Sequence, residues 1–154
     1  MRLSRAAAGV LGTAAAVALP LIAAPAQAAA AAPAVQVVKV YYDSPGVDRR
    51  SNSSLNGEYV VIKNVTRTMR KIGGWIVHDE TGYKYRFPAG TVIKGGKSIT
   101  IRTGSGRSGT STHYWGRKQY VWNNDADTAT LRSNTGKLLD SCSYDSTRRD
   151  YVIC

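Results

Sequence analysis

The sequence predicts an all-β domain, a β-sandwich of about seven to eight short strands, preceded by a helical signal peptide. Two observations lead to this fold class. Short segments of apolar or alternating residues are separated at regular intervals by glycine, proline, asparagine and serine turns. After residue 28, no stretch shows the 3.6-residue apolar period of an amphipathic helix. Many short strands between regular turns are typical of a sandwich.

The first residues have the pattern of a secretory signal peptide. Arg2 and Arg5 form a short positive region, and residues 6–24 are almost entirely small or apolar. Residues 26–28 (Ala-Gln-Ala) then fit the small-x-small pattern of a cleavage site. These features, in this order, predict export of the protein and removal of the leader.

A membrane anchor is the alternative interpretation, because the apolar stretch approaches the roughly 20 residues that a span needs. The stretch is mostly alanine, however, and it contains Pro20 and a cleavage site. We therefore predict a signal peptide at 1–28, a flexible linker at 29–34 and a secreted domain at 35–154. After cleavage we expect no integral membrane segment.

The predicted mature domain is strongly basic. Removal of Arg2 and Arg5 leaves 19 Lys and Arg against 10 Asp and Glu, a net charge of +9. Such an excess favours anionic partners, namely a cell-wall polymer, extracellular DNA or other nucleic acid, or anionic lipid. If the same residues surrounded the domain evenly, they would make only a soluble basic surface. The choice depends on whether they converge on one face.

Cys142 and Cys154 are the two cysteines of the chain. A pair of cysteines in an exported protein suggests one disulfide, which here would close a loop of about a dozen residues. A metal pair or a reactive thiol is the alternative. A two-cysteine metal site needs further ligands, and neither His78 nor His113 is suitably spaced. We predict the disulfide.

The first strand is predicted over residues 35–42, where the side chains alternate. Its better core face is formed by Gln36, Val38, Val40 and Tyr42. This choice follows from the period of two that a half-buried strand shows.

A polar loop is predicted over residues 43–56, where prolines, glycines and serines are frequent. Asn56 and Gly57 then form a turn of the kind that favours positive φ. Glu58 begins the strand that follows.

At this point the sequence resembles a lamin tail domain of the bacterial secreted type. The match extends over nearly the whole mature domain in the expected order. The residues that carry it are 55–64 (LNGEYVVIKN), 73–79 (GGWIVHD), 85–93 (YRFPAGTVI) and the run to 106, 114–116 (YWG), 121–131 (VWNNDADTATL) and the hairpin to Asp140.

The resemblance implies an immunoglobulin-like β-sandwich that serves as a non-catalytic interaction module. In nuclear lamins this domain follows a long coiled coil and is associated with binding proteins and DNA. This chain has no heptad segment and is predicted to be exported, so the nuclear roles do not transfer. We expect a monomeric, secreted binding or structural module without a cofactor. A protein–protein interaction module without a polyanion role, or an uncharacterised hydrolase, is the alternative.

The sequence contains no arrangement that predicts catalysis or a metal centre. His78, Asp79 and Glu80 are adjacent, but a hydrolase also needs a nucleophile, a base and an orienting group. Asp43, Asp48 and Glu58 could offer oxygen ligands to calcium, yet their spacing is not that of an EF-hand. We therefore assign no catalytic and no metal-binding residue.

Aromatic residues interleaved with cations supply the candidate binding site. Such a mixture can stack on bases or sugars while its cations bind phosphates or carboxylates. Trp75 and Trp122 are expected in the core instead. We predict binding first at Tyr114, Trp115, Arg117 and Lys118, and second at Arg67, Arg70 and Lys71.

Overall fold

The computed structural model describes residues 31–154, which fold into two larger β-sheets and one short β-ribbon. The predicted signal peptide, 1–28, lies outside the described residues. Within the described range, no helix is long and apolar enough to cross a membrane. The elements are β1 (Val35–Tyr41), α1 (Asn52–Leu55), β2 (Tyr59–Asn64), β3 (Arg70–Lys71), β4 (Ile76–His78), β5 (Lys84–Arg86), β6 (Val92–Ile93), β7 (Ser98–Arg102), β8 (Thr112–Tyr114), β9 (Ala126–Arg132), β10 (Leu138–Asp145) and β11 (Tyr151–Ile153).

The two larger sheets form the predicted sandwich. One sheet has the strand order β11-β1-β2-β7-β8, and the other has the order β10-β9-β4-β5. The ribbon pairs β3 with β6. The all-β class is therefore confirmed. Residues 31–154 contain eleven strands rather than seven or eight, because β3, β6 and β11 have only two or three residues each and resemble turns or a tail in the sequence.

The inner faces of both sheets meet in one hydrophobic core. Val60, Ile62 and Ile101 from the five-stranded sheet are fully buried, as are Val77 and Leu131 from the four-stranded sheet. The two sheets therefore pack through valine, isoleucine and leucine side chains, which the core cluster supplements with aromatic rings such as Phe87 and Trp122.

The predicted core face of β1 is correct only for the second half of the strand. Val40 and Tyr42 are buried as expected, but Val35 and Val37 are buried instead of Gln36 and Val38. The reason is a register shift, since Val37 and Lys39 lie opposite consecutive residues of β2. The residue between them is a β-bulge, which reverses the side-chain alternation.

Before the bulge, one edge of β1 is covered by the other sheet. The backbone N–H of Val37 donates to the Asp140 carboxylate of β10 at 2.7 Å. After the bulge, β11 pairs with residues Lys39–Tyr41 along that edge. The Cys142–Cys154 disulfide, predicted from the sequence, is present and joins β10 to the end of β11, with the two Cα atoms 5.8 Å apart.

The predicted polar loop contains a short helix at its end. Ser51 caps α1 by accepting a hydrogen bond from the Ser54 N–H at 3.2 Å, and Leu55 is buried. Asn56 is in the helical region at φ −78°, so the expected turn with positive φ does not form. Gly57 is required for space instead, because a Cβ there would lie 2.9 Å from the Cβ of Ser44.

Glu58 is a fully buried acidic residue at the entrance to β2. Its Oε1 accepts hydrogen bonds from the N–H groups of Val121, at 2.8 Å, and Trp122, at 2.5 Å. Its Oε2 is buried without a hydrogen-bond partner. Desolvation raises the pKa of Glu58 from 4.5 to about 8, although the two backbone hydrogen bonds oppose the shift.

The raised pKa of Glu58 predicts a stability that falls as the pH rises. Between 4.5 and about 8 the folded protein retains a proton that the unfolded chain has released. The free energy of unfolding should therefore decrease in this window, by at most about 1.4 kcal/mol per pH unit. Glu58→Gln, which keeps the acceptor oxygen and does not ionise, should remove this component. Urea unfolding of both proteins at several pH values measures it; parallel pH profiles would contradict the prediction.

The disulfide should stabilise the fold because it restricts the conformations that the unfolded chain can adopt. A separation of 12 residues corresponds to about 2–3 kcal/mol in the chain-entropy model. The double variant Cys142→Ser/Cys154→Ser should lose that much unfolding free energy, and the β11 amides should exchange faster with solvent. Reductant should destabilise the parent protein and leave the variant unchanged. Equal stability of the two oxidised proteins would disprove the assigned role.

Candidate functional site

The basic residues are concentrated in the middle of the chain. Residues 59–124 contain twelve Lys and Arg but only two acidic residues, Asp79 and Glu80. The other described segments, 31–58 and 125–154, contain seven Lys and Arg against eight Asp and Glu. The net positive charge of the domain is therefore carried by the segment that forms β2 to β8.

Folding brings six of these cations to one end of the molecule, which we call the basic end. It is built from the end of β2 with the loop that follows it, the β3–β6 ribbon and the turn between β6 and β7. In the ribbon, Arg70 lies opposite Ile93 and Lys71 lies opposite Val92. The cations of the basic end, all exposed, are Lys63, Arg67, Arg70, Lys71, Lys94 and Lys97. The predicted second cluster is thus part of a larger one.

The basic end is held together by the buried side chain of Asn64. Its Nδ2 donates to the carbonyl oxygens of Thr68, at 2.7 Å, and Ile93, at 2.9 Å. Its Oδ1 accepts from both the N–H, at 3.0 Å, and the hydroxyl, at 2.7 Å, of Thr66. All four hydrogen-bonding positions of the amide are used. The loop that carries Arg67 is therefore fixed to the ribbon.

Close backbone packing joins the same loop to the β6–β7 turn. A Cβ at Gly95 would lie 2.2 Å from the carbonyl oxygen of Arg67, so only glycine fits. The next residue, Gly96, has a φ of +69° and donates its N–H to the carbonyls of Asn64 and Thr66 at 3.0 and 2.9 Å. This contact brings Lys94 and Lys97 close to the loop.

Exposed apolar side chains lie among these cations. Val65, Met69 and Val92 are 45%, 54% and 37% exposed, respectively. A cluster of this kind is more than a solvated basic surface, because grouped exposed apolar residues often mark contact sites. The basic end therefore offers both charge and apolar contact.

The aromatic residues of the first predicted cluster are not presented together. Trp115 is half-buried against the core, with its ring edge-on to those of Tyr85, at 5.8 Å, and Trp122, at 6.0 Å. Tyr114 ends β8 on the outer face of the five-stranded sheet, and its ring is covered by Gly106. The two rings therefore have different neighbours and do not form one aromatic surface.

The cations of that cluster also differ from one another. The guanidinium of Arg117 lies 4.1 Å from the centroid of the Tyr83 ring, and its Nε is buried without a hydrogen-bond partner. Lys118 is exposed. Arg117 is thus held by a cation–π contact, whereas Lys118 is free to meet a ligand.

An aromatic ladder on the five-stranded sheet could not be found from the sequence. Tyr151, Tyr41 and Tyr59 lie opposite one another on adjacent strands, with ring centroids 5.7 and 5.2 Å apart. Arg102 continues the row beside Tyr59, and Lys39 lies 4.3 Å from the centre of the Tyr151 ring. The ring faces contact one another and these cations, so the ladder stabilises the open face of the sheet.

The acidic residues gather around the loop that follows β1. The Asn124 amide donates to Asp43 at 3.2 Å and to Asp48 at 3.4 Å. Burial raises the pKa of Asp43, and the nearby charges of Asp48 and Asp150 raise it further. These carboxylates therefore lie close enough to repel one another.

The basic and acidic clusters lie at opposite ends of β1. The strand starts at Val35, opposite Asn64 of the basic end. It finishes at Tyr41, opposite Tyr59, and the acidic loop follows. The exposed cations of the basic end therefore lie at the opposite end of β1 from these carboxylates, which have arginines at positions 49, 50, 148 and 149 as sequence neighbours.

The neighbouring polar residues His78, Asp79 and Glu80 serve structural contacts. Nδ1 of His78 lies 2.9 Å from the Asp79 carbonyl, and its Nε2 accepts from Nε of Arg132 at 3.0 Å. The Asp79 carboxylate is buried and accepts from the Gly82 N–H at 2.8 Å, which closes the turn. Within residues 31–154, no three His, Cys, Asp or Glu side chains form a group that could hold a metal ion.

The family model for the lamin tail domain matches residues 28–146. The chain belongs to this family. No curated protein sequence matches the chain. The family consists of non-catalytic, immunoglobulin-like domains, in agreement with the two packed sheets described above.

The residues by which this lamin tail domain resembles its family have structural roles. Glu58 binds two backbone N–H groups inside the protein, and Trp122 is 2% exposed. Trp75, also expected in the core, is only half-buried but packs against it. The family motif therefore defines the sandwich, whereas the basic end is formed by side chains on its surface.

Asn64 should be essential to the basic end of this lamin tail domain. Asn64→Ala would leave the buried carbonyl of Ile93 without its Nδ2 donor, while the Thr68 carbonyl would keep the Thr66 hydroxyl, so the change should cost about 1–3 kcal/mol of unfolding free energy. Asn134→Ala, in an exposed turn, is the matched control and should change stability by less than about 0.5 kcal/mol. Thermal or urea unfolding measures both. A loss in Asn64→Ala no larger than in the control would contradict this role.

Proposed function

We propose that this protein is a secreted, monomeric, non-enzymatic module that binds an anionic polymer or surface through its basic end. The observation that carries the proposal is the convergence of six exposed cations from three chain segments. A cell-wall polymer, extracellular DNA and an anionic lipid surface share the required chemistry, which is a dense array of phosphates or carboxylates.

Export is supported by two features of the chain. Residues 1–28 have the order of charge, apolar stretch and cleavage pattern of a signal peptide. Cys142 and Cys154 form a disulfide, and such bonds persist in oxidising compartments. The proposed ligand would accordingly be extracellular or attached to the cell wall.

Binding at the basic end would be electrostatic and would discriminate little between polymers. Each phosphate neutralised by a Lys or Arg releases a condensed counterion, so affinity falls steeply with salt. The loop and the turn are fixed by Asn64 and Gly95 before binding, so few backbone conformations need to be lost on association. The cations therefore form a pre-arranged surface for a regularly charged chain.

A protein partner is the second candidate, and the exposed side chains of Val65, Met69 and Val92 favour it. Apolar contacts of this kind are retained at high salt, whereas polyanion contacts are weakened. The salt dependence of binding distinguishes the two candidates.

The triple variant Arg67→Ala/Arg70→Ala/Lys71→Ala should weaken binding to every polyanion tested. For a short DNA duplex, the slope of log affinity against log salt should flatten by about 2–3, because up to three phosphate contacts are removed. Fluorescence anisotropy with DNA, and sedimentation with anionic vesicles or an acidic wall polymer, provide the measurements.

A charge-matched control separates local from general effects. Lys137→Ala/Arg148→Ala/Arg149→Ala removes three exposed cations outside the basic end and should change the slope by less than the test variant. Arg117→Ala/Lys118→Ala tests the cluster ranked first from the sequence; if it alone abolished binding, the site would lie there instead. Absence of binding by the parent protein to DNA, wall polymer and anionic vesicles at low salt would refute the proposed function.

A further inference from the structure

A cavity of about 590 Å³ opens beside the basic end. Its floor contains Ile93, Ile99 and His113, all buried. Its walls are the segment 88–92 and the loop 108–111. The volume lies within the range of about 300–1,000 Å³ that small-molecule sites occupy.

The floor of the cavity carries no charge. Nδ1 of His113 lies 2.7 Å from the hydroxyl of Tyr85, and the ring also hydrogen-bonds the Gly109 backbone. Burial lowers the pKa of His113, so the imidazole is neutral at neutral pH. The ring is engaged within the protein, and Ile93 and Ile99 are almost fully buried. The apolar surface open to a ligand is therefore supplied mainly by Pro88, Ala89 and Val92.

The rim is cationic. Lys94 and Lys97 both line the cavity and are both exposed. None of the described residues that line it is acidic. Val92, which is 37% exposed, links the cavity to the apolar side chains of the basic end. The lining also contains hydroxyl side chains, those of Thr91, Ser98, Ser108, Thr110 and Ser111. Exposed apolar side chains in the walls, together with two lysines at the opening, complement a molecule that has an apolar chain and an anionic head.

We infer that this cavity binds the alkyl chain of an anionic amphiphile, with the head group held between Lys94 and Lys97. The inference rests on the proposed function, because the same basic end supplies the attraction for negative charge. It adds a ligand class, a single-chain phosphate or carboxylate amphiphile, and a specific site for the chain. The amphiphile could be a free molecule or a lipid extending from a membrane.

Alkyl phosphates of increasing chain length, kept below their micelle-forming concentrations, are the appropriate probes. Calorimetric titration of the secreted protein should show affinity rising about fourfold for each added methylene, the gain expected for apolar burial. The rise should stop once the chain fills the cavity. An affinity that is independent of chain length, or that rises without levelling off, would overturn the inference, because the cavity has a finite volume.

Variants locate the site and test each part of the ligand. Ala89→Trp and Ser111→Trp place large side chains among the lining residues and should reduce affinity for the best probe at least tenfold. Ala126→Trp, at an exposed residue outside the lining, is the control and should have no such effect. Lys94→Ala/Lys97→Ala should weaken the alkyl phosphate but not the matching alkyl alcohol, whereas Lys84→Ala/Lys118→Ala should affect neither.

The same measurements separate this inference from the proposed function. If DNA and anionic vesicles bind but chain length has no effect, the cavity site is wrong and the polyanion function stands. If the alkyl series levels off as expected but no polyanion binds, the cavity site stands and the proposed function is wrong. Resonance energy transfer from the protein to vesicles that contain a short-chain anionic lipid measures binding to a lipid in a membrane. Comparison with binding of the soluble probe then distinguishes the two sources of the amphiphile.

Discussion

The sandwich depends on a carboxyl group that is buried where its two sheets are connected. Glu58 begins β2 in the five-stranded sheet, and its Oε1 receives the N–H groups of Val121 and Trp122. These two residues lie in the connection from β8 to β9, which carries the chain from one sheet to the other. One side chain therefore satisfies backbone donors that no strand partner could reach. Burial removes this carboxyl group from water, which disfavours its charged form and raises its pKa. The group therefore keeps its proton at neutral pH.

The basic end follows the same design with an amide in place of a carboxyl group. Asn64, at the last position of β2, holds a loop and a ribbon that have few strand contacts of their own. Because its four hydrogen bonds are directional, they fix the separation of the segments that carry the cations. The basic end is thus supported by a buried polar residue, and the charged side chains themselves contribute little to holding it in place.

The fold could be predicted from the sequence because its signals are local. Alternating residues and turn residues indicate strands wherever the chain is regular, and the family motif fixes their order. The errors occur where one residue changes the pattern. The bulge between Val37 and Lys39 reverses the inward face of β1, and Ser51 supplies a helix cap inside a segment that is rich in turn residues.

The site was only partly predictable, because its members come together through pairing between distant segments. Arg67, Arg70 and Lys71 are close in sequence and could be grouped from it. Lys94 and Lys97 join them through the β3–β6 ribbon and through the packing of the β6–β7 turn against the loop after β2. The tyrosine ladder depends likewise on the register of β11, β1 and β2. The mixed composition of residues 114–118 indicated a single surface, but strand alternation and core packing direct Tyr114 and Trp115 to different neighbours.

The six exposed cations of the basic end make the charge distribution of the domain uneven. The carboxylates at the other end of β1 are offset by neighbouring arginines, at positions 49, 50, 148 and 149. In the field of a negatively charged surface, such a molecule experiences a torque and turns before it makes contact. It would arrive with the β3–β6 ribbon leading and the loop after β1 pointing away. Successive encounters would then share one orientation, so a layer of these molecules would present the same outer face to whatever approaches next.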